Sequence, residues 1–142
     1  MIKSFRGKLA DGSKETIRLS TKQGLIGYKI NKFQIIQLTP GAALVEGIMK
    51  IYSVPQSSVD GTIDFTDPTL LAAAYQADYN TTASTINDVV IFENKIINQD
   101  IFITFSDAST GETMNYYLEL EQVKLSIDEA TVATLKDMRG RE

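Results

Sequence analysis

Met114-Asn115-Tyr116-Tyr117-Leu118-Glu119-Leu120-Glu121-Gln122-Val123-Lys124-Leu125 is the segment on which the reading of this chain turns. Tyr116, Leu118 and Leu120 fall on one side of an extended backbone, and Tyr117, Glu119 and Glu121 on the other. Successive side chains of a strand point to opposite faces, so this alternation marks a strand over 114–125 with one buried and one wet face. The apolar phase slips near Gln122, giving Val123 and Leu125.

The same period of two returns along the chain, broken by turn chemistry. Residues 3–9 and 14–20 flank the turn Ala10-Asp11-Gly12-Ser13, and in the second run Ile17 and Leu19 alternate with Thr16, Arg18 and Ser20. After the turn at Lys22-Gln23-Gly24, residues 25–38 form a long extended segment with Ile26, Tyr28 and Ile30 on one face. Beyond Asn31-Lys32 the apolar phase moves to Phe33 and Ile35, which predicts a β-bulge or a bend. Thr39-Pro40-Gly41 ends the segment. Residues 44–54 are apolar on both faces (Tyr52 and Val54 against Met49 and Ile51), which predicts a central strand.

From Pro55 to Asp67 the chain reads as a loop, with a turn at Asp60-Gly61 and a short extended piece over 62–65. Residues 69–77 read equally as helix, on their alanines, or as strand, on their neighbours. Asp78 to Asp88 is rich in Thr, Asn and Ser and reads as a surface loop. Residues 89–97 and 101–106 read as two strands joined in a hairpin through Asn98-Gln99-Asp100, and Asp107 to Thr113, with Gly111, as a further turn.

The end of the chain changes character. Ser126-Ile127-Asp128-Glu129 matches a capping box, in which the Ser oxygen accepts a first-turn N–H and the Glu reaches back. Ile127, Thr131, Leu135 and Met138 follow at helical spacing, and Gly140 suits a left-handed stop. So short a helix is marginal alone in water and must dock on its own sheet or on a partner. The expected architecture is all-β: an antiparallel β-sandwich of the jelly-roll kind over residues 1–126, with one short C-terminal α-helix and tail over 127–142.

Composition narrows the chemistry. The 142 residues include no cysteine, histidine or tryptophan, which removes disulfides, Cys/His metal sites, and every mechanism built on imidazole or a thiol. Lys and Arg number 14 against 18 Asp and Glu, for a net charge of −4, which argues against broad binding to nucleic-acid phosphates. No apolar run is long enough to span a membrane, and no signal-type apolar stretch follows the basic start. The expectation is a binding or structural protein with no catalytic residues, cofactor or metal, made in a reducing cytoplasm.

Several groups offer candidate sites. Asp60, Asp64 and Asp67 could offer oxygen ligands to calcium, but Asp also starts turns, and the turn reading is preferred. Glu119 and Glu121 could act as a glycosidase pair, but alternating Glu on a solvent face is the ordinary reading. Tyr28, Tyr52, Tyr75, Tyr79, Tyr116 and Tyr117 read mainly as core, with an interface role open to them. The glycines form no phosphate-cradling pattern. Lys3, Arg6 and Lys8 make a basic N-terminal patch, and Leu135, Met138, Arg139 and Arg141 end the chain; these seven are the candidate protein contacts.

A set of segments resembles a known group. Lys3-Ser4-Phe5-Arg6-Gly7-Lys8-Leu9, Gly27-Tyr28-Lys29-Ile30, Ile91-Phe92-Glu93, Asn98-Gln99-Asp100-Ile101-Phe102-Ile103, Asn115-Tyr116-Tyr117-Leu118-Glu119-Leu120-Glu121 and the run from Ala130 through Leu135 to Gly140 are similar to small proteins encoded by marine tailed phages. The resemblance implies a virion component, and with it a jelly-roll capsid decoration (cement) protein. Such a protein would sit on the outer capsid surface, bind the major capsid protein or another virion protein, and self-associate, for instance as a trimer, with no nucleic acid or membrane as partner. The resemblance transfers no functional residue. A different class stays open: a tail or fibre component, or a carbohydrate-binding host-recognition module, using Tyr75, Tyr79 and the Asp60–Asp67 loop.

Overall fold

The strand read over 114–125 is the middle of a sheet. The computed structural model describes residues 1–41, 44–78, 85–92 and 95–138, residue 85 by its backbone alone. In chain order the elements are β1 (Ile2–Leu9), β2 (Lys14–Ile17), β3 (Ile26–Gln37), β4 (Val45–Tyr52), β5 (Leu70–Asp78), β6 (Thr85–Ile91), β7 (Ile101–Asp107), β8 (Met114–Lys124) and α1 (Ile127–Met138). The strands form two antiparallel sheets, one ordered β1-β8-β3 and the other β2-β7-β4-β5-β6. Tyr116, Leu118 and Leu120 of β8 are buried, while Tyr117, Glu119 and Glu121 stand on the outer side, as the alternation requires. Leu118 lies in register with Phe5 of β1 and Phe33 of β3.

The connectivity follows a jelly roll in three of its four nested pairs. β1 pairs with β8, β2 with β7, and β4 with β5, the nested order produced when one long hairpin is wound over itself. The fourth nested pair would be β3 with β6. Here β6 pairs with β5 instead, and the Asn87 side-chain amide donates to the Ile35 carbonyl at 3.2 Å, holding β6 beside β3. Between the sheets, Phe33, Ile35, Met49, Ile51, Ile101, Ile103, Phe105, Leu118 and Leu120 are all but fully buried. Each such side chain removed from water contributes roughly 1.5–3 kcal/mol.

Local expectations met the structure unevenly. The phase change in β3 is a β-bulge, with the register to β8 shifting between Ile30 and Lys32. β4 is central, flanked by β5 and β7. The ambiguous segment 69–77 is a strand: Ala72, Ala74 and Ala77 have no exposure, and burial between neighbouring strands overrides alanine's helix preference. The extended piece at 62–65 stays outside both sheets.

The hairpin expected through Asn98-Gln99-Asp100 is not there. β6 already begins within the segment read as a loop, ends at Ile91 and pairs with β5, while β7 pairs with β2 and β4. Ile97 forms an isolated bridge with Tyr28, and Asn98 is fully buried. A residue type favoured in turns here holds a tertiary contact, which local propensity does not register.

Candidate interaction surfaces

The capping box closes as expected. Glu129 N–H donates to Ser126 Oγ at 3.2 Å and Ser126 N–H donates to Glu129 Oε1 at 3.1 Å. Hydrogen bonding from the Ser126 side chain, and then from its backbone N–H, holds the Glu129 carboxyl below its ordinary value. Docking of the helix departs from expectation. α1 packs its Ala130 and Ala133 against Leu125, Leu25 and Val123, and Asp137 is buried with them. Oδ2 of Asp137 accepts the backbone N–H of Asn98 at 2.8 Å and of Gln99 at 3.3 Å. The Asn98 side-chain amide donates to Gly24 O (3.0 Å), Ala130 O (3.1 Å) and Thr134 Oγ1 (2.7 Å).

The stripe read as the docking face therefore points outward. Ile127 is 75% exposed, Leu135 65% and Met138 48%, and Thr131 is exposed between them. Small alanines let the helix lie close, and a carboxylate meeting two backbone amides sets its rotation. Apolar spacing alone does not encode that choice. A groove of about 500 Å³ runs beside the stripe, lined by Gln23, Leu25, Ile127, Ala130 and Leu135. A second groove, about 680 Å³, lies on another side of α1 between Val132, Lys136, Ile96 and Pro68.

The basic trio divides. β1 is an edge strand, and Arg6 and Lys8 stand exposed on the outer face of the three-stranded sheet, in register with Tyr117 and Asn115 of β8. Gln34 and Ile36 of β3 complete the two rows, and together these residues line a cleft of about 520 Å³. Among the described residues neither Arg6 nor Lys8 forms an ion pair. Lys3, an odd number of positions away, turns to the other face, where its ammonium lies 5.7 Å from the centre of the Tyr28 ring. Arg139 and Arg141 lie outside the described residues, as do Gly140 and Tyr79.

The remaining candidates are engaged locally. Asp60 Oδ1 accepts from the Lys50 ammonium at 3.1 Å and from Thr62 N–H at 3.0 Å, bonds that hold its carboxyl below the ordinary value. Asp64 Oδ1 accepts from Thr66 N–H (2.9 Å) and Oγ1 (2.6 Å), and Asp67 Oδ1 from Thr69 N–H (2.8 Å) and Oγ1 (2.7 Å). Each carboxylate thus closes a turn on the residue two positions ahead. Among the described residues no three acidic groups converge as a metal cluster. Glu119 and Glu121 lie in register with Lys32 and Lys29, an opposite-charge pairing across strands, and Glu119 Oε1 also accepts from Tyr117 Oη at 3.1 Å. Tyr28, Tyr52 and Tyr116 are buried, while Tyr75 and Tyr117 are half-buried.

The node that sequence reasoning missed is Asn98 with Asp137. Their 39-residue separation carries no period, and a polar residue in a loop and another near a helix end look alike whether wet or buried. Comparisons with known proteins add little. No protein-family model matches the chain, and no curated protein matches it. Among solved structures it is similar to a "putative glycoside hydrolase" of Bacteroides thetaiotaomicron at 14% identity and a TM-score of 0.34, over 81% of this chain and 41% of that one. The chain thus spans less than half the length of that protein, and a likeness so loose assigns no function.

Proposed function

We propose that this chain is a non-enzymatic structural protein of a phage virion, a decoration (cement) protein that binds the outside of the major capsid shell. The observation that carries the reading is the outer face of the three-stranded sheet, where Arg6 and Lys8 stand exposed on the edge strand of an acidic protein and form no ion pair among the described residues. Such a face suits an acidic strand or loop of a shell protein. Exposed ion pairs are individually weak, but copies repeated over a symmetric shell make many weak contacts act together. The jelly-roll body supplies a rigid mount, and the likeness to small phage proteins points the same way.

The test is co-sedimentation of the purified protein with undecorated capsids of the phage that encodes it. Saturable binding is expected, weakened by salt and abolished by the double change Arg6→Glu, Lys8→Glu. No binding, or binding indifferent to both salt and charge reversal, would overturn the assignment.

One observation favours a second reading, glycan binding by a tail or fibre component. Arg6, Gln34 and Asn115, all planar and polar, surround Tyr117 in the same cleft, whereas the carboxylates of the Asp60–Asp67 loop are folded onto their own turns. A glycan array would show binding lost on Tyr117→Ala if this reading holds; an array without signal removes it.

A further inference from the structure

We infer that the free side of β1 is a strand-addition site: an extended acidic segment of the capsid shell pairs antiparallel with Ile2–Leu9 and continues the three-stranded sheet outward. This rests on the capsid reading and names how that contact is made.

The first observation is the direction in which the β1 backbone points. Gln122 N–H donates to the Met1 carbonyl at 2.8 Å, and β1 runs antiparallel to β8 in unbroken register, from Ile2 opposite Glu121 to Leu9 opposite Met114. In such a pair, residues that exchange both hydrogen bonds alternate with residues that exchange none. Met1 lies one step before Ile2, so Lys3, Phe5, Gly7 and Leu9 bond to β8. The N–H and C=O groups of Ile2, Ser4, Arg6 and Lys8 point the other way. Among the described residues no strand lies on that side, and no backbone hydrogen bond reaches these groups. Eight residues without a bulge are long enough to receive a full strand.

The second observation is how the other edges are closed. β3 ends the same sheet on its far side, but Tyr28 exchanges bonds with Ile97, Ile35 O accepts from Asn87, and Gln37 N–H donates to Gln76 Oε1. β6 is held beside β3 through the same Asn87, and β2 is only four residues long. Short or covered edges keep folded proteins from stray pairing. β1 has neither device. It has charge, which turns away basic strands and admits acidic ones.

Charge also chooses the occupant. Ile2, Ser4, Arg6 and Lys8 are all exposed, and their side chains share the outer face. An added antiparallel strand places its residues directly opposite them on that face, with Cα atoms ~5.5 Å apart. Two acids spaced two positions apart therefore meet Lys8 and Arg6 in turn while their backbones bond to β1. A second copy of β1, paired over the whole row, would set Ser4 opposite Arg6 and Ile2 opposite Lys8, with no acid for either base. The alternating acids of this chain, Glu119 and Glu121, lie in β8 and are paired on both sides. The occupant is thus a segment of another protein. It carries Asp or Glu opposite Lys8 and Arg6, a polar residue opposite Ser4, and an apolar residue opposite Ile2. Main-chain bonds give such a contact its affinity, and the alternate side chains give it specificity.

A blocked heptapeptide alternating glutamate with valine tests the site, with the lysine–valine peptide as control. Amide hydrogen exchange of the full chain is read residue by residue by nuclear magnetic resonance. The glutamate peptide should slow exchange at Ser4, Arg6 and Lys8 about tenfold or more, and leave Phe5 and Gly7, already bonded to β8, unchanged. N-methyl groups on its glutamates remove the donors that face β1 and should abolish the slowing with the charge intact. In the Arg6→Glu, Lys8→Glu variant the lysine peptide should take over. No slowing by the glutamate peptide, equal slowing by the lysine peptide, or slowing that survives N-methylation overturns the inference. Salt-dependent capsid binding without any peptide effect keeps the capsid reading and overturns strand addition. Slowing by the peptide without capsid binding overturns the capsid reading and keeps the strand-addition site.

Discussion

Asn98 donates its backbone N–H to the Asp137 carboxylate at 2.8 Å, and both residues have no exposed surface. This contact, with the three bonds from the Asn98 side chain, is what fastens the C-terminal helix to the sandwich. Asn98→Ala removes three partners from buried or half-buried acceptors. It should cost about 1–3 kcal/mol and release α1 before the sandwich unfolds. Hydrogen exchange checks this: amides of 130–138 should lose protection while those of β8 keep it. Loss of protection in both together would mean that the helix is no separate unit.

Gly47 sits in β4 where a Cβ would lie 2.5 Å from Met114 Cε and 3.0 Å from Phe105 Cε1. The methionine end can swing, but the Phe105 ring is fully buried in the core and has little room. Gly47→Ala should therefore destabilise the protein by about 1–3 kcal/mol despite alanine's more restricted unfolded chain. Urea denaturation gives the value directly, and an unchanged midpoint would show that the core yields there.

Lys50 carries a side chain only 3% exposed, with its ammonium bonded to Asp60 Oδ1 and to the Thr62 carbonyl. Asp60→Ala leaves a buried cation without its counter-charge and should cost about 1–3 kcal/mol. The same ammonium occupies the place a dication would need beside Asp60. Calcium should accordingly leave the thermal midpoint of the wild-type protein unchanged, and a rise on adding calcium would overturn the turn reading of this loop.

Asp100 accepts the backbone N–H groups of Leu19 at 2.8 Å and Ser20 at 2.9 Å, with Arg18 at 4.0 Å. Burial pushes its carboxyl upward, but the amide bonds and the Arg18 charge outweigh it, and the group sits below its ordinary 3.8. A carboxyl depressed in the folded state contributes stability above the unfolded-state value and loses it as pH falls through the folded value. Stability should drop below about pH 4, and Asp100→Asn should flatten that drop. Urea midpoints measured down to about pH 2 distinguish the two proteins; parallel curves would remove Asp100 from the acid response.

What the sequence disclosed follows from the range of the physics involved. The alternation in β8, the phase slip at Ile30–Lys32 and the Ser126–Glu129 cap are set by neighbours a few positions apart, and each was legible. Ala72, Ala74 and Ala77 were ambiguous because a strand buried on both sides has no polar beat to reveal its period. The exchange of partners that sends β6 to β5, and the rotation of α1 onto Ala130, Ala133 and Asp137, depend on contacts between distant segments. The division of the basic trio was readable after all: Arg6 and Lys8 are two apart and share a face, whereas Lys3 differs from both by an odd number.

The place of β8 between β1 and β3 also governs when the protein can be built. Ile2 finds its partner in Glu121, so the first strand leaves the ribosome long before the residue that it pairs with. Until translation has passed Lys124, β1 and β3 have no strand to join them, and one whole layer of the sandwich waits as unpaired backbone. Closure across most of the chain is slow compared with local pairing. A nascent chain stalled before Met114 therefore lacks a layer and not merely a strand, and its apolar faces stay open to the cell throughout the delay.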